Sequence, residues 1–190
     1  MKLGRLLLLG TVLVAGFNSY AQDDTERECT RMRFLAGEEL KIQNYTAAAT
    51  YYLKGEEICG GYDAANYARM IGTLRNAVNT TQDKGQKAAY NDTLVAAWDR
   101  AEAAGAYSQK DDFIRASAIL QTTAPDRVKA DKMFRRGVNT KGTATNEAYV
   151  SYFYYNTYAM YSEAADTAKP ELKKRMISEY FELSGLISKA

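Results

Sequence analysis

The sequence predicts an all-α chain of eight helices arranged as four consecutive hairpins. Three observations carry that prediction. Alanine is abundant and the β-branched residues do not gather into alternating runs, so the periodicity reads as helical. Only two prolines occur in 190 residues, and both fall between helical patterns. Turn signals built on Gly, Asn and Pro recur at short intervals and divide the chain cleanly.

Taken in order, the first helix is expected from about Thr25 to Ile42, ending before Gln43-Asn44-Tyr45. The second runs from about Thr46 to Cys59 and stops at Gly60-Gly61. Asp63 caps the third, which continues to about Val78. A polar stretch, Asn79 to Lys84, precedes a fourth helix that Gly105 stops. The fifth covers roughly Gln109 to Thr122, and Ala124-Pro125-Asp126 opens a sixth that ends near Gly142. The seventh spans about Thr145 to Asp166, and Pro170, in a first helical turn, begins the eighth. Connections this short make sequential helices antiparallel neighbours.

A different kind of segment stands before the first helix. Lys2 and Arg5 precede an apolar run from Leu6 to Phe17, and Asn18-Ser19-Tyr20-Ala21 brings small residues where a signal peptidase reads. That order marks a secretory signal peptide over residues 1–21, with cleavage between Ala21 and Gln22. Residues 22–190 then form one helical domain in the periplasm or outside the cell. The apolar run of about a dozen residues is too short to span the ~30 Å core of a bilayer, which argues against a retained anchor. No stable membrane span is expected after cleavage.

Charge follows from the same segment. The chain has 25 Lys and Arg against 23 Asp and Glu; Lys2 and Arg5 leave with the signal, so 23 of each remain. That balance gives no reason to expect nucleic acid or an anionic membrane as partner.

The two cysteines are placed symmetrically. Cys29 lies fifteen residues before Asn44 at the first turn, and Cys59 lies fifteen after it. In an antiparallel hairpin, positions equidistant from the turn sit side by side, and export puts both thiols in an oxidising compartment. A Cys29–Cys59 disulfide is therefore expected. A redox-active pair is the alternative, but there is no C-x-x-C spacing and no basic neighbourhood.

Four hairpins in a row call for a search for internal repeats. The second helix carries Ala48, Tyr52 and Gly55, followed by Gly60; the sixth carries Ala130, Phe134 and Gly137, followed by Gly142. Leu94, Trp98 and Ala101 in the fourth helix and Met176, Tyr180 and Leu183 in the eighth fall in the same frame. A small residue admits the partner helix, an aromatic one turn later fills the gap between hairpins, and a further small or aliphatic residue completes the stripe.

The segment from Asn44 through Ala48, Tyr52 and Gly55 resembles the second helix of a tetratricopeptide repeat (TPR). That repeat's first helix has a small residue twelve positions earlier, matched by Ala36 and Ala118, with Gly72 fitting best in the second hairpin. The resemblance covers most of the chain after the signal but departs from the family pattern. Gly60 and Gly142 replace the terminal proline, and the frames are spaced alternately by 46 and 36 residues. It implies four antiparallel hairpins stacked as a TPR-like α-solenoid. With the signal peptide and the Cys-bearing first hairpin, the chain looks like secreted repeat proteins common in Bacteroidota.

The resemblance also implies where a partner binds, because the first helix of each repeat lines the concave face. Arg33, Arg69 and Arg115 stand three residues before Ala36, Gly72 and Ala118 and so recur at one repeat position, with Asn66, Thr73 and Asn76 flanking Arg69. A planar guanidinium pairs two carboxylate oxygens at once. The expected ligand is an acidic or C-terminal peptide of an envelope or secreted protein; ordinary exposed arginines are the competing explanation.

Much chemistry is excluded. The chain has no histidine, which removes the commonest general base and the commonest zinc ligand. It shows no phosphate-binding glycine loop, and its adjacent carboxylates, such as Glu38-Glu39, Glu56-Glu57 and Asp111-Asp112, diverge on a helix. Asp111-Asp112 reads as first-turn charge that suits the helix dipole. No catalysis, cofactor or metal is expected, although carboxylates distant in sequence leave a hydrolase as a third reading. The seventh helix is unusual, with Tyr149, Tyr152, Phe153, Tyr154, Tyr155, Tyr158 and Tyr161. Too many for one face, they offer core packing or a contact surface at Tyr154, Tyr155 and Tyr158, including a platform for a glycan or small ligand.

Overall fold

A computed structural model describes residues 24–142 and 145–187, and within them the chain is helical with no strand. The expected signal peptide, residues 1–21, lies outside the described residues. Helix α1 covers residues 24–41. It is followed by α2 (Tyr45–Cys59), α3 (Ala64–Thr80), α4 (Lys84–Ala103), a short 3₁₀ turn (Gln109–Asp111), α5 (Asp112–Ile119), α6 (Arg127–Lys141), α7 (Glu147–Glu163) and α8 (Lys169–Ile187). The chain divides into two compact units, with the boundary between Ala77 and Val78 inside α3.

The helix starts are set by side chains that satisfy the first free backbone N–H groups. Asp63 accepts from the N–H of Asn66, Asp83 from Gln86, Asp126 from Lys129 and Asn146 from Ala148. Each such cap is worth about 1 kcal/mol. The turn between α1 and α2 carries Gln43 at φ 58°, and Gly60 ends α2 in the left-handed region at φ 69°.

In the first unit, Met32 and Ala36 of α1 are buried with Ala48, Ala49 and Tyr52 of α2 and with Tyr67, Met70, Ile71 and Leu74 of α3. The Tyr62 ring meets Tyr52 and Tyr67 edge-on at 6.5 and 5.9 Å, and its hydroxyl donates to the Tyr52 carbonyl at 2.9 Å. Gly55 sits beneath that ring: a Cβ there would run into the Tyr62 hydroxyl and lie 3.1 Å from Met32 Cβ. Cys29 and Cys59 are joined by a disulfide with a Cα–Cα separation of 5.3 Å, as the symmetric spacing predicts.

The second unit repeats this logic on a larger scale. Leu94, Trp98 and Ala101 of α4, Phe113, Ala116 and Ile119 of α5, and Ala130, Phe134 and Val138 of α6 form its core. An aromatic column crosses the helices. Tyr149 stacks on Phe113 at 4.7 Å, Phe113 meets Phe134 at 6.4 Å, and Phe134 stacks on Phe153 at 5.7 Å. Gly137 admits the Phe113 ring so closely that a Cβ would lie 3.0 Å from it. Within this unit each helix from α4 to α8 packs on its neighbours in sequence, a repeat-like arrangement. The frame residues Ala48-Tyr52-Gly55, Leu94-Trp98-Ala101 and Ala130-Phe134-Gly137 are all buried.

At Gly72, the small residue set in register with Ala36 and Ala118, a Cβ would meet nothing within 4 Å. The small residue is not required by packing at that point.

Candidate functional site

The arginine register splits when each guanidinium is followed to its surroundings. In the first unit Arg33 is half-buried and donates to the Thr30 hydroxyl at 3.1 Å. Asn66 is half-buried, and Arg69 and Asn76 are exposed. Thr73 is buried and spends its hydroxyl on the Arg69 carbonyl at 2.8 Å, so its side chain holds the helix instead of facing a ligand. The Arg33 charge is felt by Tyr62, whose hydroxyl is pushed up to about 12; burial is the main cause, and Arg33 acts in the opposite sense.

Arg115 corrects the expectation. Only 2 % of it is exposed, and its guanidinium donates to Asp99 at 2.5 Å and to Glu102 at 2.7 Å. Its face lies 4.8 Å from the centre of the Tyr107 ring. A cation buried and paired in this way is part of the core. Because its fork is already occupied by two carboxylates, Arg115 cannot serve as a third equivalent peptide-binding arginine.

Arg115 belongs to a larger polar cluster. Arg136 donates to both oxygens of Asp112 and to Glu102, the latter at 2.6 Å. Tyr107 donates to Asp112 at 2.6 Å, and Lys129 donates to Asp99 at 2.6 Å. Three cations thus face three carboxylates across α4, α5 and α6. Burial alone would raise the Glu102 carboxyl, but hydrogen bonds from Arg136 and Arg115 outweigh it and hold it below the ordinary range. Asp112, read from the sequence as first-turn charge, is instead fully buried at the centre of this cluster.

A second cluster ties α6, α7 and α8 together. Buried Glu179 accepts from Arg135, Arg175 and the Thr157 hydroxyl at 2.6, 2.7 and 2.7 Å. Arg175 also donates to Asp131, and Arg135 to Glu182 at 2.8 Å. A shallow hollow of about 290 Å³ opens beside Arg135, Lys174, Arg175 and Glu179. Its two arginines are already committed to carboxylates. Neither cluster was legible as such in the sequence; Asp99 and Glu102, one turn apart on α4 and facing cations from α5 and α6, were the available signal.

The tyrosines of α7 mostly stay out of the core. The buried residues of that helix are Val150, Phe153, Asn156 and Thr157. Tyr152, Tyr155 and Tyr158 are all more than half exposed. Tyr154 is half-buried and meets Tyr180 of α8 edge-on at 6.3 Å.

No family model, curated protein or solved structure matches this chain. Among the described residues no group of three or more His, Cys, Asp or Glu is placed to hold a metal ion. None of the described helices is long and apolar enough to cross a membrane. Outside the paired clusters stand Arg33 and Arg69 of the first unit, and the second unit carries exposed tyrosines on α7.

Proposed function

We propose that this chain is an exported, non-catalytic adaptor of TPR-like construction, its antiparallel hairpins stacked as a solenoid that holds a peptide or protein segment of an envelope or secreted partner. The observation that carries this reading is the repeated burial of one frame. Tyr52, Trp98 and Phe134 are buried at matching positions of α2, α4 and α6, each followed three residues later by a buried small residue. A single hairpin cannot bury such a stripe, and stacked hairpins leave extended surfaces for partners. The Cys29–Cys59 disulfide suits an oxidising compartment and so supports export.

Arg33 and Arg69, the latter with Asn66 three residues before it, are the residues of the arginine register that remain suited to a carboxylate ligand; Arg115 is not. The reading is tested by binding the purified protein to peptide and glycan arrays at low and high salt. Capture of acidic peptides that weakens with salt and disappears in an Arg33→Glu/Arg69→Glu variant supports it. A second reading is favoured by the exposure of Tyr155 and Tyr158: a glycan- or small-ligand-binding protein using stacked tyrosines. Glycan capture that ignores salt and is lost in Tyr155→Ala replaces the first reading with the second.

A further inference from the structure

The fourth frame differs from the other three. Tyr52, Trp98 and Phe134 are at most 4 % exposed, whereas Tyr180 at the same frame position in α8 is 55 % exposed. Phe181 and Ile177 beside it are 70 % and 54 % exposed, and Ile187 is also open. With Ser184 they lie on one side of the helix, Ile177 three and four residues before Tyr180 and Phe181, and Ser184 and Ile187 following, so they form one broad, largely apolar face. Leu183 and Glu179 form the adjoining, buried face of the same helix. Helix α8 thus has two packing faces, and among the described residues only one is covered.

The open face continues onto α7. Tyr180 meets Phe181 at 5.6 Å and Tyr154 at 6.3 Å, both edge-on. Tyr158 is one turn after Tyr154 and three residues after Tyr155, which makes them surface neighbours. Tyr155, Tyr158, Ile177, Tyr180, Phe181 and Ile187 together present on the order of 600 Å². That is the upper end of the largest apolar patch a monomer ordinarily shows, about 300–600 Å². Two such faces brought together bury ~1,200 Å², the lower limit for a stable interface.

We propose that this face is a self-association surface on which two copies of the chain pair α8 against α8. In the other frames the aromatic ring is covered by helices of this chain, and a second copy supplies the same kind of helical cover. The stripe from Ile177 to Ile187 is uncharged, and Glu182 on its flank is held by Arg135 at 2.8 Å. Among the described residues, Lys173 and Lys174 at one end of the stripe are the cations that an anionic bilayer would meet. In an antiparallel two-fold pairing centred on Tyr180 and Phe181, the two lysine pairs stand about 20 Å apart. That is beyond the screening length of ~8 Å, so these two lysine pairs do not oppose each other.

This inference goes beyond the adaptor reading and stands independently of which partner is bound. The test is sedimentation equilibrium on the exported protein, disulfide intact, from about 1 to 100 µM, the range in which an interface of this size is expected to assemble. The native protein is expected to form dimers. Phe181→Glu and Ile177→Glu are expected to stay folded by circular dichroism and to weaken pairing by at least about tenfold. Phe34→Glu, an exposed aromatic on α1, leaves the dimer unchanged. A monomer at every concentration overturns the proposal, as does a dimer that both α8 variants preserve. A monomer that instead cosediments with phosphatidylglycerol vesicles also overturns it and assigns the face to lipid.

Discussion

Arg136 grips Asp112, a carboxylate with no exposed surface, through both of its oxygens: Nε donates to Oδ2 at 2.6 Å and Nη2 to Oδ1 at 2.7 Å. The pair fastens the start of α5 to the middle of α6. Burying an ion pair gives little net stability, but removing one partner strands the other without water. Arg136→Ala should therefore lower the unfolding free energy by about 3–5 kcal/mol, measured by urea denaturation. The double variant Arg136→Ala/Asp112→Asn should recover part of that loss. Strictly additive losses in the cycle mean that the two residues are not coupled.

The cluster also sets a pH dependence. Hydrogen bonds from Arg136 and Arg115 outweigh the effect of burial and depress the Glu102 carboxyl. A depressed carboxylate contributes stability above its unfolded value, about 4.3, and loses it as pH falls through the folded value. At the alkaline end the sign reverses. Burial pushes Tyr62 up to about 12, and burial followed by the hydrogen bond it donates to Asp112 raises Tyr107. Their contribution is complete below the ordinary tyrosine value of about 10 and is lost as pH rises through the folded values. Thermal melts from pH 3 to 11.5, with tyrosinate absorbance followed alongside, check both arms. Undiminished stability at pH 3 would remove the acidic arm.

Reduction of the Cys29–Cys59 bridge, which spans 30 residues, should destabilise the chain by roughly 3–4 kcal/mol on the loop-entropy estimate. The comparison is denaturant unfolding of the purified protein with and without reductant, beside a Cys29→Ala/Cys59→Ala variant. Intact mass in the absence of reductant reads the bond directly, and two free thiols there contradict it.

Two glycines should respond with opposite signs. Gly137→Ala forces a methyl to within 3.0 Å of the Phe113 ring, which should cost ~1–3 kcal/mol as the ring or helix shifts. Gly72→Ala meets nothing within 4 Å and removes a flexible residue from a helix interior, which should stabilise by ~0.5–1 kcal/mol. Melting temperatures of the two variants give the answer. Equal destabilisation by both would mean that α3 is packed more closely at Gly72 than its surroundings indicate.

These results show which features were readable from sequence and which were not. Helix number, caps such as Asp63 and Asp126, the Tyr52, Trp98 and Phe134 frame and the disulfide pairing all depend on local spacing, which a sequence displays directly. The fate of Arg115 depends on Asp99 and Glu102, thirteen and more residues away on another helix. Repeat register alone could not distinguish a groove arginine from a buried one. The same limit applies to α7, where seven aromatics gave no stripe to prefer. Packing on α6 and α8 selected Phe153, Asn156 and Thr157 for burial and left Tyr155 and Tyr158 outside.

In-cell crosslinking followed by mass spectrometry, comparing the native protein with an Arg33→Glu/Arg69→Glu variant, addresses the adaptor reading most directly. The account predicts a reproducible set of envelope or secreted proteins crosslinked to the native form and lost from the variant. Recovery of the same proteins as an unrelated exported control, in both forms, would contradict it.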